Sequence, residues 1–318
     1  MKGKAAPEIL YSDDRVLYPM RRTNPKTEPE PVWERITWDE ALNEIASKLN
    51  TIKAEHGAEA IAVGVTTPSG TPFSDAFDWA HRFQYALGTP NNVSGTEVCN
   101  WHKDTAHAFT VGSSILYPDY NNADTIVLWG FNPSAVWLDQ ATQVAEARAR
   151  GATIIAVDPR DAGYARDANH WLRVRPGMDG TLLMGIANIV ISQGGYDDEF
   201  LTQWSNGPFL VSGSSGLFLR SRDLTDGEGD DYIALSRSGD LVRLPAKMEE
   251  LTELPSDLAL RGEVTVETIV GSVRCKTAFA YYADTAANYT LERTVQETGI
   301  EAEKIQAAAD ALMNANSV

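Results

Sequence analysis

Residues 95–104 hold the side chains that are best suited to metal or nucleophilic chemistry. Cys99 is one of two cysteines in the chain, and His102 and Asp104 follow it closely. A helix predicted after the cysteine would turn the positive end of its dipole towards the sulfur, which favours the thiolate that acts as nucleophile or metal ligand. His102 and Asp104 can serve as acid or base, but an inert buried cysteine and a packed histidine are the ordinary alternatives. The Cys99-x-x-His102 spacing also hints at zinc, yet no second pair of ligands follows.

Three loops that follow predicted buried strands hold a second set of chemically useful residues. They span residues 129–133, 158–160 and 175–179. Ligands of parallel α/β sheets bind beyond the carboxyl ends of the strands, so the first two loops face one crevice. Pro133 suits the first turn of a following helix. The fingerprint G-x-G-x-x-G is absent from every strand-to-helix junction, which disfavours a nicotinamide dehydrogenase.

The side chains of these loops suit a nucleotide. Gly130 lets a backbone approach a phosphate, and Asn132 can hydrogen-bond a polar heterocycle. The carboxylates of Asp158 and Asp179 can accept hydrogen bonds from a ribose diol or from guanine, while Arg160 can pair with phosphate. Ordinary turn and capping roles are the alternative for each residue taken alone.

Hydrophobic periodicity predicts an α/β fold of parallel-sheet, Rossmann-like lobes with a small β-hairpin insertion. The predicted strands are residues 60–65, 124–130, 153–158 and 171–174, with the hairpin at 232–235 and 241–244. The predicted helices are a capped helix from 37 to 57 and residues 73–87, 135–150, 181–193, 291–298 and 301–313. The strands that begin at residues 124 and 153 should be parallel neighbours joined by a right-handed crossover.

Composition excludes several classes of protein. The chain has 318 residues, enough for two lobes, and its net charge of −17 and pI of about 4.7 argue against a nucleic-acid partner. No apolar run reaches the length of a membrane span, so we expect a soluble chain. The compartment stays open between cytoplasm and periplasm, because an export signal would lie upstream of residue 1.

The order of these motifs resembles the catalytic subunits of the molybdenum or tungsten bis-pyranopterin guanine dinucleotide oxidoreductases, the dimethyl sulfoxide reductase superfamily. The resemblance is strong over about the first 210 residues and looser afterwards. The motifs that carry it lie at residues 2–3, 14–20, 33–41, 95–104, 129–133, 158–160 and 175–179. The resemblance implies a small-molecule substrate, a bis-molybdopterin guanine dinucleotide cofactor with Mo or W, and an iron–sulfur electron-transfer subunit as partner.

The resemblance also implies roles for individual residues. Cys99 falls where members of the family carry the metal ligand, and a thiolate is a sensible partner for Mo or W. Lys2 corresponds to a lysine between an iron–sulfur cluster and a pterin. The residues on the loops that hold the dinucleotide are Trp129, Gly130, Asn132, Pro133, Asp158, Arg160, Gly177 and Asp179.

The chain also departs from the family pattern. The cysteines of the family's [4Fe-4S] cluster lie before the motif at Lys2, and the later β-barrel domain is missing, so we expect a fragment, a split gene product or an expressed domain. Formate dehydrogenases place His directly after the metal ligand, whereas this chain has Asn100. This departure favours the branch near acetylene hydratase and the anaerobic aromatic or sulfur-compound enzymes over formate chemistry.

The leading hypothesis is therefore a catalytic-subunit fragment that performs two-electron or oxygen-atom transfer at a Cys-ligated metal. A non-redox, acetylene hydratase-like hydratase and a catalytically inactive cofactor-binding fragment are the alternatives. The predicted domains are an extended arm at 1–36, the first part of an α/β lobe at 37–98, a pterin-dinucleotide lobe at 99–290 with an insertion at about 207–250, and a helical return at 291–318.

Overall fold

A computed structural model describes residues 2–65, 77–94, 101–113, 116–161, 163–225, 227–247 and 255–318. The chain forms two compact units, Met1–Tyr117 and Pro118–Val318. Cys99 and its neighbours from 95 to 100 lie outside the described residues. Among the helices that are described, none is long and apolar enough to cross a membrane. The predicted domain limits are a finer division than these two units and stay predictions.

The first unit is built of short strands and, among its described residues, three helices of more than ten residues. It begins with a 3-10 helix, Lys2–Ala5, and helix α1, Ala6–Leu10. Its strands are β1 Met20–Arg22, β2 Trp33–Arg35, β3 Val63–Val65 and β4 Asn92–Ser94. Its other helices are α2 Trp38–His56, α3 Phe77–Leu87 and α4 Trp101–Val111, with a 3-10 turn at Ala58–Ala60. Strands β3 and β4 pair in parallel.

The first 36 residues differ from the extended arm that the prolines suggested. Strands β1 and β2 pair antiparallel to form a hairpin. The Arg22 side chain closes the connecting loop, because it donates hydrogen bonds to Asn24 Oδ1 at 3.0 Å and to the carbonyl of Pro25 at 2.9 Å. Asn24 Oδ1 also accepts from the backbone N–H of Val32 at 2.8 Å. One half-buried cation therefore organises a segment whose sequence pattern shows only helix breakers.

Helix α2 begins at the predicted capping box. Glu40 N–H donates to Thr37 Oγ1 at 3.2 Å, and Thr37 N–H donates back to Glu40 Oε2 at 2.7 Å. Hydrogen bonds from Thr37 hold the pKa of Glu40 below its ordinary value. Ala41 is buried, but Leu42 and Ile45 are 59% and 56% exposed, so the predicted apolar face is only partly covered.

The second unit contains the parallel sheet that the sequence predicted. Strands β5 Thr125–Trp129, β6 Thr153–Val157 and β7 His170–Leu172 lie side by side in that order, all parallel. The connections carry the helices α5 Pro133–Val136, α6 Leu138–Ala149 and α7 Tyr164–Asp167. The single helix predicted at 135–150 is divided at Trp137, which has a non-helical backbone with φ −133° and ψ 81°.

Helices cover both faces of this sheet, which is typical of a doubly wound α/β fold. One face packs Ile126, Leu128 and Ile154 against α6. The other face packs Ile155 and Val157 with residues of three further helices. The remaining helices are α8 Asp179–Gln193, α9 Asp198–Trp204, α10 Ala278–Ala287, α11 Leu291–Thr298 and α12 Ala302–Met313.

The end of the chain returns to the start of the sheet. Asp124 and Thr125 each donate a backbone N–H to the carbonyl of Ser317 at 3.1 Å. The Asp124 carboxylate in turn accepts from the backbone and side-chain nitrogens of Asn316 at 3.1 and 3.0 Å. These hydrogen bonds hold the pKa of Asp124 below its ordinary value, with the Asn316 side chain contributing most.

A β-rich segment lies between α9 and α10 and is larger than the predicted hairpin. Its strands are β8 Leu210–Ser212, β9 Tyr232–Leu235, β10 Leu241–Leu244, β11 Glu263–Thr268 and β12 Gly271–Thr277. Strands β9 and β10 form the expected antiparallel hairpin, and β11, β12 and β8 form a second sheet that the pattern analysis missed. Cys275 is fully buried in β12, and burial raises the pKa of its thiol.

Candidate functional site: three loops at the carboxyl edge of the sheet

The candidate site is formed by the loops that leave the carboxyl ends of β5, β6 and β7. Gly130 follows β5 with φ 58°, and Gly177 lies in the third loop with φ 87°, a conformation that side chains rarely adopt. A Cβ atom added at either glycine would meet nothing within 4 Å. These glycines are therefore required by backbone conformation, and they leave open space beside the main chain where a ligand can approach.

The first and third loops are joined by one hydrogen bond. Trp129 is the last residue of β5, and its Nε1–H donates to Asp179 Oδ1 at 2.8 Å. Asp179 is the first residue of α8, where a carboxylate is favoured by the helix dipole. The indole thus fixes the orientation of an exposed carboxylate that lies 50 residues away in sequence.

The second loop presents one acidic and one basic side chain. Asp158 Oδ1 accepts from the backbone N–H of Arg160 at 2.8 Å, and Arg160 Nε lies 3.8 Å from the same oxygen. The Asp158 side chain is 15% exposed and that of Arg160 is 74% exposed. Trp171 Nε1 donates to the Asp158 carbonyl at 2.8 Å, which anchors the loop to β7. A rigid backbone therefore carries a largely solvated guanidinium.

Asn132 lies against a glycine that the sequence analysis did not single out. A Cβ atom at Gly163 would lie 2.3 Å from Asn132 Nδ2, so only glycine fits there. Ser134 Oγ donates to Asn132 Oδ1 at 2.6 Å. Pro133 is buried and begins α5, as its type predicted. The Asn132 side chain therefore packs the first loop against Gly163, the residue before α7, and this contact is visible only in the folded chain.

The structure places eight of the residues predicted from sequence at this edge of the sheet. Of the four other predicted residues, three lie in helices of the first unit and one falls outside the described residues. The eight are Trp129, Gly130, Asn132, Pro133, Asp158, Arg160, Gly177 and Asp179. Lys2 lies in the first 3-10 helix, and His102 and Asp104 lie in the first turn of α4. Cys99 falls outside the described residues. Among the residues that the structure describes, no cluster of three or more His, Cys, Asp or Glu side chains could hold a metal.

The third loop and the residues after it make long-range contacts that sequence reasoning missed. Arg175 donates its backbone N–H to the Thr298 carbonyl at 2.9 Å and its Nη1 to the Glu297 carbonyl at 2.8 Å. Thr181 Oγ1 donates to Glu297 Oε2 at 2.7 Å. More than 100 residues separate these partners, so no local pattern could have indicated the contact.

The family model for molybdopterin oxidoreductases matches residues 15–296, and the chain belongs to this family. The resemblance to the dimethyl sulfoxide reductase superfamily that the motifs indicated is thereby confirmed. The chain is 35% identical to acetylene hydratase of Syntrophotalea acetylenica over 208 residues, and this alignment covers 65% of this chain and 28% of that protein. It is 34% identical to dopamine dehydroxylase of Eggerthella lenta over 212 residues, and this alignment covers 66% of this chain and 20% of that protein.

Two further similarities extend over nearly the whole chain. The alpha subunit of dimethylsulfide dehydrogenase of Rhodovulum sulfidophilum is 29% identical over 321 residues, which cover 99% of this chain and 34% of that protein. The structure of acetylene hydratase from Pelobacter acetylenicus superposes with a TM-score of 0.56 at 25% identity, over 97% of this chain and 32% of that one. The α/β fold class is confirmed. The chain spans between about a fifth and about a third of the length of these relatives.

Proposed function

We propose that this chain supplies the dinucleotide-binding part of a molybdenum or tungsten oxidoreductase, with the guanine nucleotide end of a bis-molybdopterin guanine dinucleotide held at the three loops. The observation that carries the proposal is the junction of these loops at one sheet edge, tied by the Trp129 to Asp179 hydrogen bond. Family membership implies the molybdopterin itself, and the loops supply the argument for the guanine dinucleotide form.

The chemistry of the loops fits such a group. Asp158 and Asp179 are carboxylates that can accept hydrogen bonds from guanine N–H groups or ribose hydroxyls. Arg160 is a solvated cation that can pair with a phosphate oxygen. The open space beside Gly130 and Gly177 lets phosphate oxygens approach backbone N–H groups. Acceptors for a base or sugar and donors for phosphate therefore lie at one edge of the sheet.

Residues of the first unit complete the proposal through the family resemblance. When bound, the metal centre supplies the two-electron or oxygen-atom chemistry on a small substrate. The Cys99 thiolate ligates the metal, and His102 and Asp104 hold or release protons for the substrate. Lys2 contributes a positive charge between an iron–sulfur centre and a pterin. An iron–sulfur subunit is the proposed electron partner, and the similar dimethylsulfide dehydrogenase chain is named as an alpha subunit.

Metal and pterin analysis of the natively purified protein tests this proposal. We expect Mo or W together with about two pterins per chain, and loss of metal in Cys99→Ala. Cys275→Ala is the matched control, because the second cysteine is buried in β12 and should not affect loading. Asp158→Ala should lower the pterin content while leaving the fold intact. A folded protein without metal or pterin, or full loading of Cys99→Ala, would contradict the proposal.

A non-redox hydratase at the same metal is the second candidate. It is supported by the similarity to acetylene hydratase in both sequence and structure. Such an enzyme needs an activated water and a carboxylic acid but no onward electron partner. Comparing the rate of water addition to acetylene with dye-linked electron transfer on the same metal-loaded sample separates the two. Hydration without dye reduction supports the hydratase, and dye reduction without hydration supports the oxidoreductase.

A further inference from the structure

The third loop and the first turn of α8 rest on the C-terminal end of α11. Two carbonyls at that end, those of Glu297 and Thr298, accept from the side chain and the backbone of Arg175. Gly299 then ends the helix with φ 75° in the left-handed conformation. Arg175 thus uses helix carbonyls that would otherwise lack partners. The loop that carries Gly177 and Asp179 is therefore attached at its beginning to α11.

The Glu297 carboxylate makes the second attachment. Its Oε2 accepts from Thr181 Oγ1 at 2.7 Å, and Thr181 lies in the first turn of α8. Its Oε1 accepts from Arg293 Nε at 2.7 Å. Hydrogen bonding from Arg293, followed by that from Thr181, holds the pKa of Glu297 below its ordinary value. At neutral pH the carboxylate is ionised, so both oxygens act as charge-assisted acceptors.

Close helix packing fixes where this carboxylate stands. Gly185 of α8 faces Thr294 of α11, and a Cβ atom at 185 would lie 2.3 Å from Thr294 Oγ1. The two helices therefore approach closely one turn beyond the Thr181 contact. Thr294 is fully buried, and its hydroxyl donates to the carbonyl of Thr290. The carboxylate of Glu297 is therefore held between Thr181 and Arg293 at a place where α8 and α11 lie close together.

We propose that Glu297 is a positioning residue that sets the geometry of residues 175–181 for the guanine nucleotide end of the cofactor, an inference that rests on the proposed function. Glu297 touches neither of the two candidate binding carboxylates. Its carboxylate acts through Thr181, and its backbone carbonyl holds Arg175, so the two contacts lie on either side of Gly177 and Asp179. Trp129 thus holds Asp179 directly, while α11 holds Arg175 and Thr181 on either side of it in sequence.

Guanosine diphosphate, the nucleotide end of the dinucleotide, is the probe for the test. Its affinity is measured by calorimetry on the full chain for the wild type, Thr181→Val, Thr181→Ser and Glu297→Gln. Glu292→Gln is the matched control, because Glu292 is an exposed glutamate at the opposite end of the same helix. Hydrogen exchange of residues 175–181 is recorded alongside, because a purely global effect on stability would not accelerate exchange in this segment alone.

We expect Thr181→Val and Glu297→Gln to weaken binding by roughly two- to thirtyfold, the range for residues that act on a site through others. Exchange in the 175–181 segment should accelerate, Thr181→Ser should restore affinity, and Glu292→Gln should match the wild type. Wild-type affinity in both Thr181→Val and Glu297→Gln would overturn the positioning role while leaving the proposed function standing. A wild-type chain that does not bind the probe would instead count against the proposed function, and this inference would fall with it.

Discussion

Replacing Gly185 by alanine tests the close approach of α8 and α11. The new Cβ would lie 2.3 Å from Thr294 Oγ1, 2.6 Å from its Cγ2 and 2.9 Å from its Cβ. Overpacking of this kind costs up to about 3 kcal/mol. Alanine also recovers about 1 kcal/mol of helix propensity relative to glycine. The net expectation is a loss of about 2 kcal/mol, because the buried Thr294 cannot swing into solvent.

Denaturant unfolding and thermal melting measure this loss. A destabilisation of about 2 kcal/mol lowers the Tm of a unit of this size by roughly 4 to 8 °C. Gly180→Ala is the matched control, because it lies in the same helix and its added Cβ meets nothing within 4 Å. We expect that variant to be as stable as the wild type or slightly more stable. The same substitution at two positions of one helix should therefore give opposite results.

A double-mutant cycle identifies the cause of the loss. Thr294→Ala removes the two side-chain atoms that would lie nearest to the new methyl group, so it should be less harmful in the presence of Gly185→Ala than alone. If the two single effects simply add, the contact does not cause the loss. If Gly185→Ala is as stable as Gly180→Ala, the close packing of the two helices is refuted.

Three further outcomes follow from the described contacts. Thr37→Ala removes the N-cap of α2 and should cost about 1 kcal/mol in denaturant unfolding, whereas an unchanged midpoint would show that the cap contributes nothing. Asp124→Ala should destabilise the chain at neutral pH. Because Asn316 lowers the pKa of Asp124, the ionised carboxylate stabilises the fold at pH values above the pKa that Asp124 has in the unfolded chain, and this contribution is lost as the pH falls through its folded pKa. The difference in Tm between the wild type and Asp124→Ala, measured at several pH values, should therefore vanish in acid. A difference that does not change with pH would contradict the stabilising role of the ionised carboxylate. In Cys99→Ala, burial and the raised pKa should keep Cys275 from reacting with a thiol reagent until the chain unfolds, so rapid labelling of the native protein would contradict its burial.

Local signals in the sequence predicted several elements of the fold, including two strands that lead into the site. The capping box at residues 37–40 satisfies backbone donors within one turn, so its neighbours alone determine it. Runs of buried β-branched residues predicted β5 and β6, and Leu291–Thr298 was predicted with the bounds that the structure shows. Strands β11 and β12 were missed although buried and exposed residues alternate along part of each strand. The alternation is short, and the many turn residues around it obscured the pattern.

Contacts between distant residues were beyond prediction. The type of Asp179 was recognised, but its orientation depends on Trp129, and the bond between them joins two loops. Gly163 carries no sequence signal of its own, because its need for glycine arises from Asn132 on a neighbouring connection. Glu297 reads as an ordinary exposed residue of an amphipathic helix until α11 is seen to lie against Thr181. The sequence therefore identifies the chemistry of the loops, and only tertiary structure identifies what holds them.

The return of the chain to Asp124 has a consequence for modularity. Because Asp124 and Thr125 bond directly to Ser317, the residues at the start of β5 and those after α12 lie next to each other in the fold. Two positions this close can be joined by a short linker, and the chain can be reopened in the exposed turn at Gly239 between β9 and β10. The segment from 124 to 317 is thus compatible with circular permutation.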